Sequence, residues 1–256
     1  MIRRPPRSTP SNSSAASDVY KRQASISGVF FTYIDTIMLG FFVSFSSIGY
    51  YRVASALVFG IASIFTYLGL VLLPIFTNLE KARLRIAFEK VLRFILLFSI
   101  PSTFGLLALG NYFIRFLYGY SYLSASLPLY ILSFLLITWI PSSLISVLFL
   151  SKEKPKYAAK VAIISLALNI ILNYLFISFL LRTTGLELYA TLGAALATLI
   201  SRYFLFFSLV STARKKLNIR IKKNIFTKPI LAISTHWTHV LGVRFFDRVG
   251  KGCRDD

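Results

Sequence analysis

The chain has 256 residues, 56% of them apolar and only 15% charged, with a mean hydropathy of +0.69. A soluble domain carries about 25% charged residues, so this composition cannot wet a globular surface and points to an integral membrane protein. One cysteine excludes an intramolecular disulfide and a four-cysteine zinc site, two histidines leave little for His-based catalysis, and the net charge of +20 has to be judged by where it falls.

In chain order, residues 1–23 (MIRRPPRSTPSNSSAASDVYKRQ) are basic, rich in Ser and Pro, and without the apolar stretch of a signal peptide. They resemble a translated sequencing-adapter read-through; a disordered cytosolic tail is the alternative. Residues 24–213 are expected to form an all-α bundle of about six transmembrane helices. Uncharged or nearly uncharged runs place these at Ala24 to Phe45, Val53 to Leu79, Arg93 to Arg115, Phe116 to Ser151, Lys160 to Arg182 and Leu188 to Ala213. The fourth run is too long for one helix, so Gly119-Tyr120-Ser121 is expected to form a turn ahead of it. Each run offers the roughly 20 residues that about 30 Å of hydrocarbon requires. Helices are the reading because backbone groups must pair within their own segment where there is no water. The alternation of a membrane barrel, about 10 residues per strand, is absent. Residues 214–256 read as a basic loop, the start of a further helix at Asn224–Ser234, and an aberrant polar end. His236, Trp237, His239 and Cys253 lie in that end and are left out of any site.

The basic residues cluster between apolar runs: Lys81, Arg83, Arg85, Lys90 and Arg93; then Lys152, Lys154, Lys156 and Lys160; then Arg214, Lys215, Lys216 and residues beyond. The intervening connections carry Arg52, Arg115 and Arg182, one each. Alternation of this kind places the clustered connections in the cytoplasm of a multi-pass cell-membrane protein, against an anionic leaflet rather than nucleic acid. Pro74, Pro101, Pro128 and Pro141 fall inside the expected helices, where a bundle tolerates them as kinks. Gly185, Gly193, Ala194, Ala195 and Ala197 would let helices approach closely.

Few polar groups lie within the spans. Asp35 is the one acid deep in an apolar run, at a price of roughly 2.5–3.5 kcal/mol at the bilayer centre. It reads either as a cavity group that binds a cation, a proton or a polar substrate, or as a buried acid paired with Arg or Tyr to lock helices. Arg202, in the sixth run, either reaches a pyrophosphate in a cavity or snorkels to the interface. Asn169 and Asn173, at i and i+4, share one helical face, to bond a neighbouring helix or to line a polar passage. Arg52 and Arg115 read as boundary anchors. No Gly-rich phosphate loop, metal-spaced His/Glu pair or Ser/His/Asp set is present, so neither enzyme activity nor a cofactor is expected.

Several segments resemble the second half of polysaccharide flippases in the multidrug/oligosaccharidyl-lipid/polysaccharide exporter superfamily. They are Tyr33-Ile34-Asp35-Thr36-Ile37-Met38-Leu39-Gly40, Ile48-Gly49-Tyr50-Tyr51-Arg52-Val53-Ala54, Leu73-Pro74-Ile75-Phe76, Ser151 to Lys156, and Asn169 to Asn173 followed by Gly193-Ala194-Ala195-Leu196-Ala197-Thr198. The resemblance implies one lobe of a two-lobe flippase that moves a polyprenyl-diphosphate-linked glycan across the cytoplasmic membrane, with a missing N-terminal lobe as partner. It implies Asp35 as the acid of the family's seventh helix and Asn169 with Asn173 as the polar pair of its eleventh. A lipid II flippase, a cation-coupled multidrug antiporter and a non-transporting scaffold are the alternatives.

The topology is open to direct measurement. In a Cys253→Ser background, Arg83→Cys, Lys154→Cys and Lys216→Cys are expected to react with an impermeant thiol reagent from the same side of the membrane.

Overall fold

The computed structural model describes residue 26 and residues 29–217. The basic start, the further helix at Asn224–Ser234, and His236, Trp237, His239 and Cys253 lie outside the described residues. What is described is helical: α1 (Val29–Leu39), α2 (Phe45–Val71), α3 (Leu73–Asn78), α4 (Lys81–Tyr118), a 3-10 turn (Tyr120–Ala125), α5 (Ser126–Ser133), α6 (Leu135–Ser151), α7 (Pro155–Thr184) and α8 (Glu187–Leu217).

The expected spans map onto these elements with shifted ends. Four helical stretches are each long and apolar enough to cross a membrane, and the pair leading into α6, bent by 48°, makes a fifth. Of the first expected span, the described helix covers Val29–Leu39. It stops there because Gly40 opens a turn closed by Phe42 N–H on the Leu39 carbonyl at 2.9 Å. Phe45 accordingly begins α2, eight residues before Val53, and Arg52 lies two turns inside that helix with its guanidinium 5.4 Å from the Tyr33 ring centroid.

The basic clusters are helix ends more than loops. α4 is 38 residues long, about 57 Å at 1.5 Å per residue, so its N-terminal turns, with Arg83 and Arg85, overhang any 30 Å layer. Lys156 and Lys160 likewise open α7, and Arg214 to Lys216 close α8, which continues past the expected boundary at Ala213. The prolines divide in the same way. Pro101 and Pro141 are inside helices, but Pro74 stands at the start of α3 and Pro128 in the first turn of α5, where a missing N–H is harmless.

Two ends of the bundle are tied separately. At one, the Lys152 ammonium donates to the Leu79 carbonyl at 3.0 Å and the Lys154 ammonium to the Lys216 carbonyl at 3.0 Å, so all three basic connections meet. At the other, Glu187 at the start of α8 accepts from the Ser44 N–H at 2.9 Å and the Ser47 hydroxyl at 2.8 Å, and from the Ser44 hydroxyl. A carboxylate there faces the free N–H groups of the α2 N-terminus, its favoured position. Gly119 (φ +86°) ends α4 as the expected turn requires. Gly185 (φ +67°) is a left-handed cap closing α7, not the packing residue its composition suggested.

α6 runs through the centre, with Leu135, Leu136, Ile140, Leu144, Ile145, Leu148 and Phe149 fully buried. The break before it is stitched by α4: Ser99 donates to the Leu136 carbonyl at 2.6 Å and Thr103 to the Ser133 carbonyl at 3.3 Å. Outward-facing side chains such as Phe94, Leu97, Ile163, Ile171, Leu175 and Phe179 are exposed, a surface suited to lipid and not to water. α7 and α8 lie backbone to backbone, since a Cβ on Gly193 would sit 2.8 Å from the Phe176 carbonyl oxygen. Gly193→Val is therefore expected to push the two helices apart and destabilise the bundle by about 1–3 kcal/mol, measured as a lower unfolding midpoint in detergent.

Candidate functional site

On α1, Phe31, Asp35 and Leu39 are buried while Tyr33 and Ile37 between them are exposed. The i, i+4, i+8 spacing makes one inward stripe, and it carries Asp35 into the interior at 1% exposure. On α7 the same spacing buries Ser165, Asn169, Asn173 and Ile177. The two stripes face each other across the bundle, with α2 and α8 closing the sides.

A buried carboxylate can only accept hydrogen bonds, and Asp35 is met by donors from three helices. From α2, the Tyr51 hydroxyl donates to Oδ2 at 2.7 Å. From α8, the Thr198 hydroxyl donates to the same oxygen at 2.7 Å. From α7, the Asn173 amide donates to Oδ1 at 2.6 Å, and the Asn169 amide lies 3.4 Å from that atom. An outer layer orients these donors. The Asn169 amide also donates to the Thr198 and Ser201 hydroxyls at 3.3 and 3.2 Å, and the Asn173 amide donates to the Asn169 side-chain oxygen Oδ1 at 3.2 Å. The Ser201 hydroxyl donates to the Thr198 carbonyl at 3.1 Å, while the Ser165 hydroxyl ties α7 to the Ser201 carbonyl at 2.6 Å. Among the described residues no Lys or Arg forms an ion pair with Asp35. The Asn173 side-chain oxygen Oδ1 and the Thr36 hydroxyl are buried without a hydrogen-bond partner.

Arg202 neither snorkels outward nor pairs with the acid. It is 8% exposed, and its guanidinium lies between the Phe31 ring at 4.1 Å and the Trp139 ring at 4.3 Å, with Nε unpartnered. The rings' negative faces attract a cation without neutralising it. Trp139 itself is met edge-on by Phe59 at 4.7 Å.

Of the residues singled out in the sequence, Asp35, Asn169 and Asn173 converge directly and Arg202 stands beside them. Tyr51, Thr198 and Ser201 complete the cluster without having been assigned a role. Tyr51 and Thr198 both stand in the quoted Gly-Tyr-Tyr and Gly-Ala-Ala-Leu-Ala-Thr segments, but nothing in those strings says which side chain turns inward. Arg115 is an end anchor as expected, stacked 4.2 Å from the Tyr120 ring in the last turn of α4.

Apolar helices of spanning length around a polar core define a multi-pass helical membrane protein. A family model described as polysaccharide biosynthesis protein matches residues 21–127, in agreement with the resemblance carried by the sequence segments. Over that stretch the chain is similar to polysaccharide biosynthesis proteins. The matched stretch holds α1 to α4, and with them Asp35 and Tyr51; Asn169, Asn173, Thr198 and Arg202 lie beyond it. No curated protein and no solved structure matches the chain.

Hydrogen bonds to a charged group are worth about 1.5–3 kcal/mol in water-soluble proteins and less within a bilayer. Tyr51→Phe is accordingly expected to lower stability by about 1–2 kcal/mol, and to have almost no effect when Asp35→Leu has already removed the acceptor. A double-mutant cycle of unfolding midpoints in detergent reads the difference.

Proposed function

We propose that the bundle is one lobe of a flippase that carries a polyprenyl-diphosphate-linked oligosaccharide across the cytoplasmic membrane for polysaccharide biosynthesis. The observation that carries this reading is Asp35, a buried carboxylate satisfied by neutral donors from three separate helices. A resting ion pair would have to break against its own charge attraction before Asp35 could take a cation. Neutral donors can be exchanged for a cation or a proton at little electrostatic cost, and each exchange alters how α1 is held to α2, α7 and α8. That is the property required of a group coupling an ion gradient to movement.

In this scheme Asp35 takes the coupling cation or proton, and Asn169 and Asn173 report its occupancy to α7. The basic end formed by the connections around Leu79, Lys152 to Lys156 and Lys216 faces the cytoplasm and draws in the diphosphate headgroup. Arg202 supplies a cation within the pathway. A second lobe, in the parent protein, closes the other wall of the cavity, because alternating access needs two bodies moving about a shared site. The sugar crosses between the lobes while the polyprenyl tail stays in lipid.

Deleting the gene from its host is expected to abolish surface glycan, and the parent protein carrying Asp35→Ala is expected to fail to restore it. Unchanged glycan in the null strain sinks the proposal. Loss of cell-wall integrity instead would favour lipid II as cargo, ion-coupled drug efflux would favour an antiporter, and full activity of the Asp35→Ala protein would favour a scaffold.

A further inference from the structure

Asp35 and Arg202 are two opposite charges buried in one bundle and left apart. Their placement is regular. Phe31 and Asp35 are one turn apart on α1, and Thr198 and Arg202 are one turn apart on α8. Thr198 bonds Asp35 at 2.7 Å and Arg202 stacks on Phe31 at 4.1 Å. The helices therefore meet antiparallel in two layers about 6 Å apart, four residues at 1.5 Å each. Helical side chains lean toward their own N-terminus, so Arg202 leans toward the Thr198 layer and Asp35 toward the Phe31 layer. Each charged side chain leans toward the layer that holds the other. The guanidinium nevertheless stays between Phe31 and Trp139, where it gains attraction but no counter-charge, and its Nε finds no acceptor.

We propose that Arg202 is a resident counter-charge for Asp35, leaving the Phe31–Trp139 clamp to pair with the carboxylate whenever the donors on α2, α7 and α8 let go. This rests on reading Asp35 as a group that changes partners during transport. A carboxylate stripped of its donors in a medium without water is strongly unfavourable, and the guanidinium one turn away is the nearest remedy. Arrival of a cation or proton at Asp35 sends Arg202 back to the rings. Occupancy of the acid and position of the base are then mutually exclusive, so the emptied lobe never carries a bare charge through the membrane interior. Arg202 acts here as a positioning residue.

Trp139 is the reporter, since Trp237→Phe leaves it the only tryptophan of the chain's two. In nanodiscs, removing donors with Tyr51→Phe and Asn173→Leu is expected to shift Trp139 emission as the guanidinium departs. Adding Asp35→Asn is expected to abolish that shift, because the acceptor's charge is gone, and so is adding Arg202→Gln. Unchanged emission on donor removal, or a shift that survives Arg202→Gln, overturns the proposal. Should the donor-depleted protein not fold, Tyr51→Phe alone is compared with and without Arg202→Gln by the same emission. A shift in Tyr51→Phe that Arg202→Gln abolishes is expected, and unchanged emission in Tyr51→Phe overturns the pairing. Neither readout needs transport, so failure of glycan complementation would remove the flippase reading without deciding this one.

Discussion

A carboxylate has no water to turn to inside a bilayer, and the architecture around Asp35 follows from that constraint. Its two oxygens accept from Tyr51, Thr198 and Asn173 at 2.6–2.7 Å, and each donor sits on a different helix. Bonds to an ionised carboxylate are stronger than those between neutral groups. In lipid the apolar surfaces of helices gain nothing by leaving solvent, so such bonds, together with close backbone contact at Gly193, specify which helices meet. The inward stripe of α1 is anchored at its middle by Asp35.

Charge governs the two ends by a different rule. The last carbonyls of a helix lack partners, and lysine side chains at the basic end reach two of them, at Leu79 and Lys216. Glu187 performs the reciprocal task at the opposite end, where the Ser44 N–H and the Ser44 and Ser47 hydroxyls converge on one carboxylate oxygen. Cations thus close helix C-termini and an anion closes a helix N-terminus, each matching the local sign of the backbone dipole. Lysines of the basic connections thus fasten α3, α7 and α8 together.

The polar cluster crosses the boundary of the family match. Asp35 and Tyr51 belong to the matched stretch, whereas the donors on α7 and α8 come from residues more than forty positions beyond it. A single physical unit is therefore assembled from the stretch that the family model matches and from residues beyond it. Our functional proposal draws on both: the family description suggests the cargo, and the exchangeable donors suggest how its movement is driven.

Composition and charge order determined a great deal without any fold. Apolar runs of spanning length, basic clusters after every second run, and a lone acid in an oily stretch are local properties, because each depends on what a segment is made of rather than on what it touches. Helix ends were less legible: α2 begins at Phe45, α4 extends well into its basic cluster, and Gly185 caps instead of packing. Those boundaries depend on turn geometry and on where neighbouring helices stop. Asn169 and Asn173 could be placed on one face by their spacing. That this face meets Asp35, that Tyr51 and Thr198 turn inward beside it, and that Arg202 rests between Phe31 and Trp139 were decided by tertiary structure alone. The physical reason is that these contacts join residues far apart in the chain, and periodicity tells which side of a helix faces inward but not which other helix it faces.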